Sequence, residues 1–252
     1  MTTASKKDPG ISGYIIRNAI MPIFLVVVCL GLYLYLRAQS LDSIERRVIN
    51  LNYISSRVIE HLQLTAVATI VVVILAVSTG ILVTRPAFRS ITPIAVNIAN
   101  LGQAIPSIGL LFLLAILWST GFYPALLGLI AYSFLPVLRN TMVGLQQVDS
   151  SVIEAARGMG MSKTATLFRV ELPLAIPVML AGIRTALILV VGTATLATFI
   201  NAGGMGDIID AGISTGRYTT ILVTGAILTA VLALVVDWVA GIAEDVLSPK
   251  GL

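Results

Sequence analysis

The sequence predicts an all-α polytopic membrane protein with about six transmembrane helices, and three observations carry that expectation. Of the 252 residues, 57% are hydrophobic and 11% are charged, less than half the charged share of about 25% usual in soluble chains. The apolar residues gather into runs at 20–36, 62–83, 94–118, 122–138, 175–200 and 219–241, each near the roughly 17 to 25 residues that cross a hydrocarbon core as a helix. The 16 basic and 12 acidic residues fall almost entirely between those runs. An ordinary soluble domain is excluded by the scarcity of charge, and a disordered interaction segment by the excess of Val, Ile, Leu and Ala.

The net charge of +4 does not indicate nucleic acid, because the basic residues form no binding stripe. Their spacing instead orients the chain by the positive-inside rule. With the N-terminus in the cytoplasm, the inner segments hold ten basic residues (Lys6, Lys7, Arg17, Arg85, Arg89, Arg139, Arg157, Lys163, Arg169 and Lys250). The outer segments hold five, Arg37, Arg46, Arg47, Arg57 and Arg217. The expectation is a multi-pass plasma-membrane protein with both termini in the cytoplasm.

Taken in order, the first run follows Lys6, Lys7 and Arg17 and ends at Arg37; its length suits a span better than the shorter core of a signal peptide. In the next segment, 37–61, Ile44, Val48, Leu51 and Ile54 recur at helical spacing, so it is expected to lie along the membrane surface, with Asp42, Glu45 and Glu60 pairing its arginines. In the third run Pro93 and Pro106 bracket a segment of polar recurrence. Asn97, Asn100, Gln103 and Ser107 draw one polar stripe along it, equally suited to gluing helices together and to lining a path. The fifth run carries the small residues Ala181, Gly182, Gly192, Ala194, Ala197 and Thr198, which permit close helix approach; Thr195 and Thr198 are further candidates for path lining. Gly203-Gly204-Met205-Gly206-Asp207 then reads as a compact outer turn before the last run. Arg184 and Asp237 fall within runs and read as structural or snorkelling charges. Trp118, Tyr132, Tyr218 and Trp238 read as interfacial anchors.

The polar segment 149–173 is the most informative. Ser151 and Glu154 have the spacing of a capping box, and Val152, Ala155, Ala156 and Met159 follow on one helical face. Gly158 and Gly160 supply a stop, Ser162 caps a second short helix, and Pro173 is expected to end it.

Glu154-Ala155-Ala156, three residues, Gly160, nine residues, then Val170-x-Leu172-Pro173 resembles the EAA loop of ATP-binding-cassette (ABC) importer permeases, with Val170 in place of the usual Ile. The stretches 101–111, 135–141, 181–186, 192–197 and 202–207 resemble the glycine betaine, carnitine and choline permeases of osmoprotectant uptake, and the likeness extends over about 60 to 240. Related amino-acid permeases share the EAA element. The resemblance implies a type I permease core of five helices in residues 58–241, preceded by a tail, one helix and an external linker (1–57) and followed by a cytoplasmic tail (242–252). It also implies that Glu154, Ala155, Ala156, Gly160, Leu172 and Pro173 couple the chain to a separate ATPase subunit. A second permease subunit, identical or homologous, and an extracytoplasmic binding protein complete the expected assembly. Gly203, Gly204, Gly206 and Asp207 are placed at the external gate.

No site for covalent chemistry is expected. Gly160-Met-Ser-Lys163-Thr164 fails the spacing of a phosphate-binding loop, His61 has no metal-ligand pattern around it, and the single Cys29 admits neither a disulfide nor a cysteine metal site. No cofactor is expected. A secondary carrier would need intramembrane acidic residues for ion coupling or an inverted repeat, and neither is visible. Aromatic residues are only 6% and scattered, so tight capture of a quaternary ammonium solute is expected in the separate binding protein.

Overall fold

A computed structural model of the chain describes residues 11–214, 216 and 218–247. The orientation charges Lys6, Lys7, Arg217 and Lys250 lie outside the described residues. The helices are α1 (Ile11–Ala38), α2 (Ser43–Val48), α3 (Leu51–Thr84), α4 (Thr92–Ala104), α5 (Ser107–Leu117), α6 (Phe122–Gln146), α7 (Ser150–Gly158), α8 (Lys163–Thr166), α9 (Leu172–Ala194), α10 (Gly206–Ser214) and α11 (Thr219–Leu247). Five helical stretches among the described residues are long and apolar enough to cross a membrane: Ala19–Ala38, Leu51–Thr84, Phe122–Gln146, Lys163–Ile200 and Thr219–Leu247. A sixth candidate, Pro86–Ala104 with Ser107–Leu117, is bent by 96°.

That bend corrects the expectation of a straight span over 94–118. Pro106 lacks an N–H and its ring excludes a helical carbonyl four residues back, while Ile105 before it is pushed to extended geometry (φ −76°, ψ 130°). Helix α4 remains close to α6: a Cβ on Gly102 would stand 2.2 Å from the carbonyl oxygen of Ala131.

The segment 37–61 also differs from expectation. Only α2 is a separate short helix, capped by Asp42, whose carboxylate accepts from Ile44 and Glu45 N–H groups while Glu45 reaches back to the Asp42 N–H. That bond to the Glu45 N–H holds the Asp42 carboxyl below its ordinary pKa. From Leu51 onward the chain already belongs to the second span, because Asn50 caps α3 by accepting from the Tyr53 N–H. At 34 residues α3 is about 50 Å long, well beyond the ~30 Å of hydrocarbon, so its first turns stand clear of the apolar layer.

The core lies where α3, α6 and α9 meet. Leu64, Ala68, Ala125, Leu129, Val190, Ala194 and Ala197 form one buried layer with Leu111 of α5, and Val72, Ala76, Leu135, Leu138 and Ala186 form the next with Ala99 of α4. Small side chains at these seams let the backbones approach, which in lipid replaces the missing hydrophobic driving force with dispersion contact. Helix α3 begins beside the glycine loop and finishes beside the segment leading into α9, so the bundle has two chemically distinct ends.

Candidate functional site

At one end, α7 realises the first half of the 149–173 segment. Its cap is Asp149 rather than Ser151: the Asp149 carboxylate accepts from the Ser151 N–H at 2.8 Å, and that bond holds its pKa below the ordinary carboxylate value. Both residues are good caps two positions apart, and the helix starts at the earlier one. Glu154 is left exposed beside exposed Ala155, whereas Ala156 turns inward at 2% exposure. The four small and apolar residues expected on one face therefore divide, with Val152 and Met159 (74% exposed) on the outer surface together with Phe168.

Gly160 ends α7 with a Schellman motif. Its N–H donates to the Arg157 carbonyl at 2.9 Å and the Met161 N–H to the Ala156 carbonyl at 3.2 Å, which requires the left-handed φ of +88° at Gly160. Gly160→Ala is expected to cost about 1 kcal/mol, the penalty of a Cβ in that region, read as a lowered unfolding midpoint in detergent with the bundle otherwise unchanged.

Ser162 caps α8 as expected, accepting from the Ala165 N–H at 3.2 Å. Pro173 does not end that helix. It occupies the first turn of α9, where a missing N–H costs little, and the ladder before it widens into a π-turn, Leu167–Glu171, in which the Leu172 N–H donates to the Leu167 carbonyl. Leu172 and Pro173 are half-buried there. The turn also buries Glu171, which pairs with Arg85 at 2.8 Å, a partnership across 86 positions that no local sequence pattern marks.

In the middle of the bundle the polar stripe is only partly assembled. Asn97 is exposed, Gln103 is half-buried, and Asn100 accepts from Arg139 Nη2 at 3.0 Å. Ser107 lies beyond the 96° bend on α5 and does not continue the face of the other three. On the fifth span, Thr195 is half-buried and donates to the Gly192 carbonyl at 2.6 Å, and Thr198 donates to Asp207. Gly182 abuts Asn140 of α6, where a Cβ would be 2.4 Å from Asn140 Cβ, while Gly192 has open space.

Arg184 and Asp237, from spans 53 residues apart, meet. The guanidinium grips Asp237 at 2.7 and 3.0 Å and reaches Glu244 at 3.2 Å, lying against Gly241, where a Cβ would stand 3.3 Å from its nitrogens.

At the other end, the glycine loop is bound into a polar cluster on α3. Asp207 pairs with Arg57 at 2.5 Å, Arg57 pairs with Glu60 at 2.7 Å, and Glu60 accepts from the Gly204 N–H at 3.1 Å. Buried His61 accepts at Nδ1 from the Met205 N–H at 3.4 Å, and its Nε2 faces the Val191 carbonyl at 3.1 Å. Gly203 and Gly204 take φ of +77° and +96°, and Gly206 packs so closely that a Cβ would fall 2.0 Å from the Thr195 carbonyl oxygen. The pairing of Glu60 with an arginine of 37–61 follows the expectation from sequence, whereas the attachment of both residues to the glycine loop, across more than 140 positions, carries no local signal.

An exposed short helix thus stands at one end of the bundle and a tied glycine loop at the other, joined through three packed helices. Residues 76–247 match the family described as binding-protein-dependent transport system inner membrane component. The carnitine transport permease protein OpuCD of Listeria monocytogenes is 36% identical over 200 residues, covering 79% of this chain and 89% of that protein. The choline transport system permease protein OpuBB of Bacillus subtilis is 38% identical over 193 residues, covering 77% and 88%. The osmoprotectant import permease protein OsmY of Salmonella typhimurium is 38% identical over 214 residues, covering 85% and 89%. In fold, the chain resembles the inward-facing MetNI methionine ABC transporter with a TM-score of 0.68 at 23% identity, over 81% of this chain and 99% of that one. The chain therefore belongs to the binding-protein-dependent transport system inner membrane components, as a permease subunit of an ABC importer.

Proposed function

We propose that the chain forms half of the membrane path of an osmoprotectant importer and passes a small quaternary ammonium solute of the glycine betaine, choline or carnitine kind. The observation that carries this reading is α7: Glu154, Ala155, Val152 and Met159 stand exposed at one end of the bundle, in the sequence setting of the EAA loop. A helix that keeps apolar side chains in water beside a polar boundary fits a groove on a partner. Here the partner is the separate ATPase subunit, which supplies the hydrolysis that this chain lacks. The names of the relatives support the solute class.

In this reading the α7 end faces the cytoplasm. A second permease subunit encloses the path, lined by Asn97, Asn100, Gln103, Ser107, Thr195 and Thr198. Gly203, Gly204, Gly206 and Asp207 form the external gate, to which a binding protein delivers solute. Closure of the ATPases on ATP pulls α7 and turns the path outward; hydrolysis resets it.

The test is uptake of labelled glycine betaine, choline, carnitine and methionine into vesicles holding the permease, its cognate ATPase and its binding protein. ATP-dependent uptake of a quaternary ammonium solute is expected. Methionine as the preferred cargo, or uptake that persists without the ATPase, overturns the reading. Glu154→Lys is expected to release the ATPase from the purified complex, measured by co-purification; retained association with full transport contradicts the role given to α7.

A further inference from the structure

The Arg85–Glu171 pair spans 86 positions of sequence and joins the end of α3 to the π-turn, which is itself in contact with α7. Arg85 closes α3: its Nε donates to the Ile81 carbonyl at 3.3 Å and its Nη2 to Thr84 Oγ1 at 3.2 Å, so two bonds fasten the guanidinium to the last turn of that helix. The remaining nitrogen, Nη1, donates to Glu171 Oε2 at 2.8 Å. Glu171 is the last residue of the π-turn, and its side chain is 5% exposed. A buried carboxylate is costly without a partner, so Glu171 and Arg85 hold each other in place.

The π-turn is the soft element between α8 and α9, because its carbonyls accept from five residues on and the helix is locally unwound. Movement of α7 and α8 reaches α9 along the chain through this turn. Its covalent route to α3 is a long one, back through α6, α5 and α4, because α3 ends more than sixty positions before α7 begins. Apolar packing also joins the turn to α3, with Val77 and Ile81 in one cluster with Leu167, Leu172, Ala175 and Met179, but such contact is non-directional and lets a displaced turn slide along α3. Both helices pack on α6, so a path enclosed by this bundle changes shape as a unit only if both follow.

We propose that Arg85 and Glu171 are positioning residues that carry displacement of the coupling segment into α3, so that α3 and α9 move together. This rests on the reading of α7 as the ATPase-docking helix. Beside the peptide chain through the π-turn and the apolar packing of α3 on α9, the ion pair is a directional route of force into the membrane helices.

The experiment uses the whole importer in liposomes and measures labelled solute moved per ATP hydrolysed, a ratio that a merely structural loss of folded protein leaves unchanged. Glu171→Gln and Arg85→Gln are expected to keep the ATPase bound and hydrolysing while the ratio falls on the order of tenfold, the scale of a typical coupling free energy between sites. The exchange Arg85→Glu/Glu171→Arg is expected to recover part of it. An unchanged ratio in intact Gln complexes overturns the proposal. Should a single variant fail to assemble, Arg85→Leu/Glu171→Met removes both buried charges together and takes its place. There, a lowered ratio supports the tether and a wild-type ratio overturns it. Glu154→Lys run in parallel separates the two ideas. Loss of ATPase association there with a wild-type ratio in Glu171→Gln overturns the tether alone, and retained association with full transport overturns both.

Discussion

Replacing Arg184 with methionine is expected to destabilise the bundle by about 3 kcal/mol, the scale of leaving a carboxylate unpaired within a membrane span. Arg184 holds Asp237 through two nitrogens, and Glu244 shares the same guanidinium, so its removal leaves two like charges uncompensated two turns apart on one face of α11. Methionine approximates the length of the arginine stem and adds no strain, which isolates the electrostatic loss. The double variant Arg184→Met/Asp237→Leu is expected to regain most of the stability, because an apolar pair removes both charges at once. Unfolding midpoints in mild detergent, compared across the three proteins, provide the measurement. A single variant as stable as the parent, or a double variant no better than the single one, would show that the pair does not hold α9 to α11.

Gly206→Ala is expected to cost about 2 to 3 kcal/mol, as overpacking does where the obstacle is backbone. The added methyl would fall 2.0 Å from the Thr195 carbonyl oxygen and 2.9 Å from Thr198 Cγ2, so α10 must move away from the 3-10 segment Thr195–Ile200. That movement draws Asp207 from Thr198 and Arg57 together, and loosening of the glycine loop should appear as faster amide exchange at Gly203–Asp207. Gly192→Ala serves as the control, because its methyl meets nothing within 4 Å. Stabilities within error of each other for the two variants would contradict the close approach at Gly206.

Much of this chain was legible before folding because the bilayer leaves few options. Backbone groups in hydrocarbon must bond internally, so each apolar run has to be helical, and the six runs correspond to the spans and the bent pair. The coupling segment was legible for a local reason: Gly160 and Ser162 act on backbone within a few residues of themselves. The misplacements share a cause as well. Asp149 and Ser151 compete for one cap, and the sequence signal of the capping box favours the wrong one. Pro106 and Pro173 look alike in sequence, yet one breaks its helix and the other opens one, because a π-turn before Pro173 absorbs the missing bond. The polar stripe failed at Ser107 because helical periodicity presumes a straight axis.

What the sequence determined by itself was the solvent of the protein, the helical character of its apolar runs, and the short motif that joins it to a transport family. Each depends on composition or on contacts within one or two helical turns. The tertiary structure decided which distant groups meet: Arg85 with Glu171, Arg184 with Asp237, and Arg57 and Glu60 with the glycine loop. A charge in a membrane protein is stable only beside a partner, and the partner is fixed by how α3, α9 and α11 pack rather than by how far apart their residues stand in the chain.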